Sequence, residues 1–257
     1  MAYHIQLPKQ FTSTHTTGFD NLLVSGCSFT YNNSTEHICT WPYYLRDICG
    51  FNEVYDSSQA GAGSNHIFNS IINEVETNSN INAKNTLVII MWSGLTRTDL
   101  IAETHITKSY YNMNHYNFDD KFSTLSLSSV FSQAPRSDSN PLVAKLHQLY
   151  KKIIPGDAQI LESAFKIIAL QSYLEKQGFK YIMLNWMDPT PELNTLNNAI
   201  KESVLSIFDP VKTLGEYATN TRQTIPNDGH PTPDAHLSWT REYLIPYLES
   251  KKLIATG

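Results

Sequence analysis

The seven residues Thr86–Trp92, TLVIIMW, constrain the fold more than any other stretch of the chain. The run is continuously apolar and β-branched, as a strand covered on both faces must be, and such strands sit inside parallel sheets. Around it the chain alternates. Asn21–Gly26 (NLLVSG) reads as another buried strand, and Trp41–Cys49 (WPYYLRDIC) as a helix stopped by Gly50. Residues 52–58 read as a second strand. Ser64 stands where it can cap a helix running to Thr77, with Ile67, Phe68, Ile71, Ile72 and Val75 on one face. Residues 158–177 read as a long helix ended by Gly178, and residues 179–186 as another strand. Residues 191–209 form a weaker αβ segment, and residues 239–253 a last helix bent at Pro246. This alternation predicts one α/β domain over residues 1–257, a three-layer α/β/α sandwich around a parallel sheet. Residues 100–150 break the rhythm. They are rich in Ser, Thr, Asn, Tyr and His and read as an insertion of the lid or binding kind.

Composition narrows the function classes. With 41% hydrophobic and 17% charged residues, the 257-residue chain is neither a disordered tail nor a membrane protein. No apolar run approaches the ~20 residues that span a bilayer. No basic start followed by an apolar stretch marks a secretory leader, so a cytoplasmic location is expected, or association with a virus particle. The 19 Lys+Arg and 24 Asp+Glu give a net charge of −5, with no concentrated basic face for nucleic acid. Cys27, Cys39 and Cys49 are an odd set without CxxC spacing, which argues against a disulfide scaffold or a zinc knuckle.

In parallel α/β sheets, chemistry gathers where strands end. Four loops qualify. Ser25-Gly26-Cys27-Ser28-Phe29-Thr30 follows the first buried strand and can present a serine hydroxyl on a tight turn, beside N–H groups able to face an oxyanion. Cys27 is the rival nucleophile, being a thiol. Residues 56–65, DSSQAGAGSN, offer glycines whose backbone can approach a ligand. Trp92-Ser93-Gly94-Leu95-Thr96-Arg97 closes the strongest strand, with Arg97 exposed or paired to Asp99. Asn227-Asp228-Gly229-His230-Pro231 places a histidine two residues from an aspartate on a stiff loop, suited to a base oriented by a carboxylate. Counting Asp234 and His236, the same loop holds two Asp-x-His pairs that could instead chelate a metal, while His236 also fits a surface position at the entry to the last helix.

The order of these blocks resembles the SGNH hydrolase superfamily, the GDSL-like esterases. Gly26-Cys27-Ser28 is similar to that family's Gly-Asp-Ser, and Gly-Cys-Ser-Phe-Thr resembles a divergent subgroup seen in phage and bacteria. The resemblance implies a flavodoxin-like fold and a triad of Ser28, His230 and Asp228. It also implies an oxyanion hole from Ser28 and Gly61, with Gly63 as second choice. The family's third block is Gly-x-Asn, whereas here it reads Gly94-Leu95-Thr96, so Thr96 takes the asparagine's place, with Ser93 or Asn65 as substitutes. The Asp-x-His spacing is one residue shorter than usual and is shared with some acyltransferase relatives. The implied activity is hydrolysis of a small acyl ester, with O-acetyl groups on a carbohydrate as the favoured substrate. Tyr110, Tyr111 and Tyr116 would stack on sugar rings, and no cofactor, metal, nucleic acid or membrane is called for. The competing readings are a non-catalytic SGNH-like binding or virion protein, an O-acyltransferase and a metal-dependent hydrolase.

Overall fold

The computed structural model describes residues 9–32, 39–97, 99–103, 122–126, 149, 156–226 and 229–257. Its centre is a four-stranded parallel sheet. The strands are β2 (Asn21–Gly26), β3 (Glu53–Asp56), β4 (Thr86–Trp92) and β7 (Lys180–Asn185), in the order β3-β2-β4-β7. Every residue of β2 and β4 is buried, which is why each carries an apolar run, Leu22–Val24 in β2 and Leu87–Trp92 in β4. In register, Leu23 lies between Tyr55 and Val88, and Ile90 faces Met183.

Strand order and crossover handedness fix the layers. The chain leaves β2 through α1 (Trp41–Cys49) to reach β3 on one side. It then returns through α2 (Ser64–Thr77) to β4 on the other side of β2. Both connections are right-handed by the general rule, so α1 and α2 cover opposite faces. The next crossover, to β7, runs in the same direction as that of α2, and its helix α3 (Gly156–Gln177) packs beside α2. The architecture is thus α/β, a parallel sheet flanked by helices. The reversal of direction at β2 opens a crevice at the carboxyl ends of β2 and β4, the usual place for a ligand.

Several local expectations change. Residues 191–209 contain no strand: they form α4 (Thr190–Leu193) and α5 (Asn198–Leu205). Asp209 alone meets the β7 edge, its N–H donating to the Met183 carbonyl and its carboxylate accepting from the Met183 N–H, both at 2.8 Å. After α6 (Leu214–Asn220), the last helical stretch begins at Pro233 rather than at residue 239, because Thr232 caps it by accepting from Ala235 N–H at 3.2 Å. It runs as α7 (Pro233–Trp239), a π-turn (Thr240–Leu244) and α8 (Ile245–Ser250). The ring of Pro246 brings no N–H, and the turn ahead of it widens so that Ile245 donates to Thr240. The insertion is not structureless: β5 (Asp99–Glu103) and β6 (Phe122–Ser126) pair antiparallel. A short antiparallel pair, β1 (His15–Thr17) with β8 (Ile254–Thr256), joins the two ends of the fold. Among the described residues no helix is long and apolar enough to cross a membrane.

Candidate active site

β2 ends in one tight turn. The Thr30 and Tyr31 N–H groups both donate to the Cys27 carbonyl, at 2.9 and 3.0 Å. The first N–H groups of such a turn, those of Ser28 and Phe29, have no partner within it. Gly26 makes the turn sterically possible: a Cβ there would stand 2.3 Å from Thr30 Oγ1 and 2.9 Å from the Met91 carbonyl oxygen. Cys27 is fully buried, whereas Ser28 is partly exposed. Burial removes the thiol from competition as a nucleophile.

His230 Nε2 lies 2.7 Å from Ser28 Oγ, joining residues 202 positions apart. The loop carrying the imidazole is folded as a narrow hairpin. Ile225 N–H donates to the His230 carbonyl at 2.7 Å, Thr232 N–H donates to Gln223, and Thr224 bridges Pro231. Asp228 lies outside the described residues, as do Tyr110, Tyr111 and Tyr116. His236 is not a surface residue. It is buried in α7, and burial, together with the neighbouring His230, pushes its pKa down to about 3, so its ring is neutral. Among the described residues, no three His, Cys, Asp or Glu side chains converge as metal ligands would.

The glycine loop after β3 is stitched to the nucleophile turn. Ser57 N–H donates to the Val24 carbonyl at 2.9 Å and Gln59 N–H to the Gly26 carbonyl at 3.1 Å. Gly61, at φ +77°, occupies a β-turn closed by Ala62 N–H on Gln59. Gly61 thus belongs to the same sheet edge as Ser28. Asp56, a residue not singled out from sequence, ties the two loops together. Its buried carboxylate accepts from the Ser58 N–H at 3.0 Å, from the Ser58 hydroxyl and from the Asn32 N–H. Burial nevertheless pushes its pKa up to about 6.

Three expected donors are engaged elsewhere. Gly63 N–H donates to both carboxylate oxygens of Asp99, at 2.9 and 2.8 Å, so it is no oxyanion donor. Its missing side chain permits a close approach, since a Cβ would stand 2.6 Å from the Arg97 carbonyl oxygen. Asp99 also accepts from His66 N–H at 2.8 Å. It therefore caps α2 in place of Ser64, whose hydroxyl accepts from Ser163 at 3.0 Å. Thr96 likewise turns away: its hydroxyl and N–H donate to Glu192 Oε1 at 3.0 and 3.3 Å, while Leu95 N–H donates to Oε2 at 2.9 Å. Nor does Asn65 substitute, because its amide donates to the Asp99 carbonyl at 2.6 Å. Ser93 is buried at the strand exit.

An aromatic ladder leads away from the histidine. The Phe29 ring lies 5.1 Å from His230 and 4.4 Å from Trp186, and the Arg97 guanidinium stands 5.7 Å over Trp186. Arg97 is thus half-buried on an indole rather than paired with Asp99. Trp186 stands just past the end of its strand, which closes at Asn185, whereas the sequence pattern carries the strand through residue 186. Nothing in the sequence marks the roles of Asp99 and Glu192. Two open clefts of about 540 and 520 Å³ lie at the other end of the sheet, around Gly18, Lys180 and Lys252. Neither contains a serine–histidine pair, so the chemistry points to the β2 edge instead. No protein-family model and no curated protein matches the chain.

Proposed function

We propose that the protein is a serine esterase of the SGNH type, built on the flavodoxin-like version of its α/β sheet, and that it removes a small acyl group from a carbohydrate carrier. The observation that carries this reading is the 2.7 Å contact between His230 Nε2 and Ser28 Oγ at the carboxyl end of a buried parallel strand. With Nε2 unprotonated, His230 takes the serine proton as Oγ attacks the ester carbonyl. The oxyanion is held by the N–H groups of Ser28 and Gly61. Collapse breaks the acyl carbon–oxygen bond, and the proton on His230 passes to the departing alcohol. Water, deprotonated by the same imidazole, then releases the acyl group as its acid. Asp228, two residues before His230 in sequence, is the carboxylate this reading assigns to orient the imidazole.

The family's third oxyanion donor has no counterpart at Thr96, and one such donor is worth about 10²–10³ in rate. That feature favours a second reading, a retired active site on a binding protein. The deciding experiment is turnover of p-nitrophenyl acetate by wild type, Ser28→Ala and His230→Ala, with fluorophosphonate labelling located by mass spectrometry. Activity lost in both variants and a label on Ser28 are expected. A folded wild type with neither turnover nor label overturns the esterase reading in favour of the second.

A further inference from the structure

Arg97 lies two aromatic rings away from His230, over Trp186. Among the described residues no carboxylate lies within ion-pairing distance of its guanidinium. The Asp99 carboxylate feels its charge, but both Asp99 oxygens are taken by α2 N–H groups, and those of Glu192 by Leu95 and Thr96. The cation–π contact with Trp186 takes up none of the guanidinium's hydrogen-bond donors in a salt bridge, and these suit a bidentate anion. Among the described residues, the loop around Gly94 is not tightly packed against Arg97: a Cβ at Gly94 would make only ordinary contacts, 3.6 Å from Glu192 Oε1, 3.8 Å from Trp186 Nε1 and 4.0 Å from Arg97 Cγ.

Direction follows from the reaction. The histidine that takes the serine proton returns it to the leaving oxygen, so the alcohol portion of an ester sits on the histidine's side. A ladder of ring contacts starts at His230 and runs through Phe29 and Trp186 to Arg97. We infer that Arg97, laid over Trp186, anchors a carboxylate or phosphate on the alcohol portion of the substrate, which is therefore an acyl ester of an acidic carrier. This inference rests on the esterase reading for its chemistry, though not for its binding site.

The test compares phenyl acetate with 4-acetoxybenzoate and 4-acetoxyphenyl phosphate, using wild type, Arg97→Gln and Arg97→Lys. Wild type should favour an anionic ester by about tenfold or more in kcat/KM, the scale of one charge-assisted contact. Arg97→Gln should erase that preference, and Arg97→Lys, which keeps the charge but loses the fork, should recover part of it. Whichever anionic ester gains more identifies the carrier group as carboxylate or phosphate. No preference in wild type, or the same preference in Arg97→Gln, overturns the inference. Equilibrium titration with 4-hydroxybenzoate and 4-hydroxyphenyl phosphate separates it from the esterase reading. If no ester is turned over, saturable binding that is lost in Arg97→Gln still supports the anion site, and absent or unaltered binding rejects it.

Discussion

Glu192 accepts from both the N–H and the hydroxyl of Thr96, across 96 residues of sequence, and so pins the loop that leaves the central strand β4 to helix α4. A third bond, from Leu95 N–H, completes the clamp. Replacing Glu192 by Ala leaves the exposed Thr96 donors to water but strands the N–H of the buried Leu95. The cost should be about 1–3 kcal/mol, that of one buried donor left unsatisfied. Urea unfolding of Glu192→Ala against wild type measures it, and esterase assay shows whether the loop's position matters to turnover.

Gly26 should tolerate no side chain. Thr30 is itself fully buried and the Met91 oxygen is backbone, so neither can move aside for a Cβ. Gly26→Ala is expected to cost about 1–3 kcal/mol of stability and to cut fluorophosphonate labelling of Ser28 by tenfold or more, because the turn carrying the nucleophile must shift.

Cys27 and Ser28 can be told apart directly. Cys27→Ala should keep its turnover within about threefold of wild type while losing about 1 kcal/mol of packing. Ser28→Ala should lose turnover altogether. A label that moves to Cys27 in Ser28→Ala, or turnover abolished by Cys27→Ala, would contradict the burial of the thiol.

Buried carboxylates and buried histidines pull stability in opposite directions with pH. Burial raises Asp99 to about 7 and Asp56 to about 6, so the folded state binds protons more tightly there than the unfolded chain does. Their contribution to stability is therefore present at low pH and lost as pH rises from about 4 toward those values. His66 and His236, lowered by burial to about 4 and about 3, act the other way, and the stability they contribute is lost as pH falls below about 6.5. Wild type should accordingly change little between pH 6.5 and 4.5. Asp99→Asn removes one of the two carboxylates, so the histidines prevail and the variant should lose more stability than wild type as pH falls over that interval. Urea unfolding at pH 4.5, 5.5 and 6.5 checks the difference in slope.

What the sequence made legible follows from local physics. β2 and β4 could be read because a strand covered on both faces carries consecutive apolar residues, Leu22–Val24 closed by Gly26 in one and Leu87–Trp92 in the other. Ser28 and His230 could be paired because the order of strand-end loops brings them to one edge. The carboxylate clamps could not be read. Asp99 meets Gly63 across 36 residues and Glu192 meets Leu95 across 97, through backbone N–H groups that leave no pattern in the side chains. Serine at the head of α2 looked like its cap for the same reason: local sequence cannot show that a distant carboxylate has taken the position. The β5–β6 pairing was hidden too, since its two short strands lack a clean alternation and are far apart in the chain.

The separation of Ser28 and His230 by 202 residues sets the moment at which the site comes into being. During synthesis the serine leaves the ribosome on what becomes β2, and the histidine follows 202 residues later. A serine hydroxyl without its base is a weak nucleophile. On the esterase reading, the nascent chain therefore carries a dormant serine until the loop bearing His230 docks and arms it.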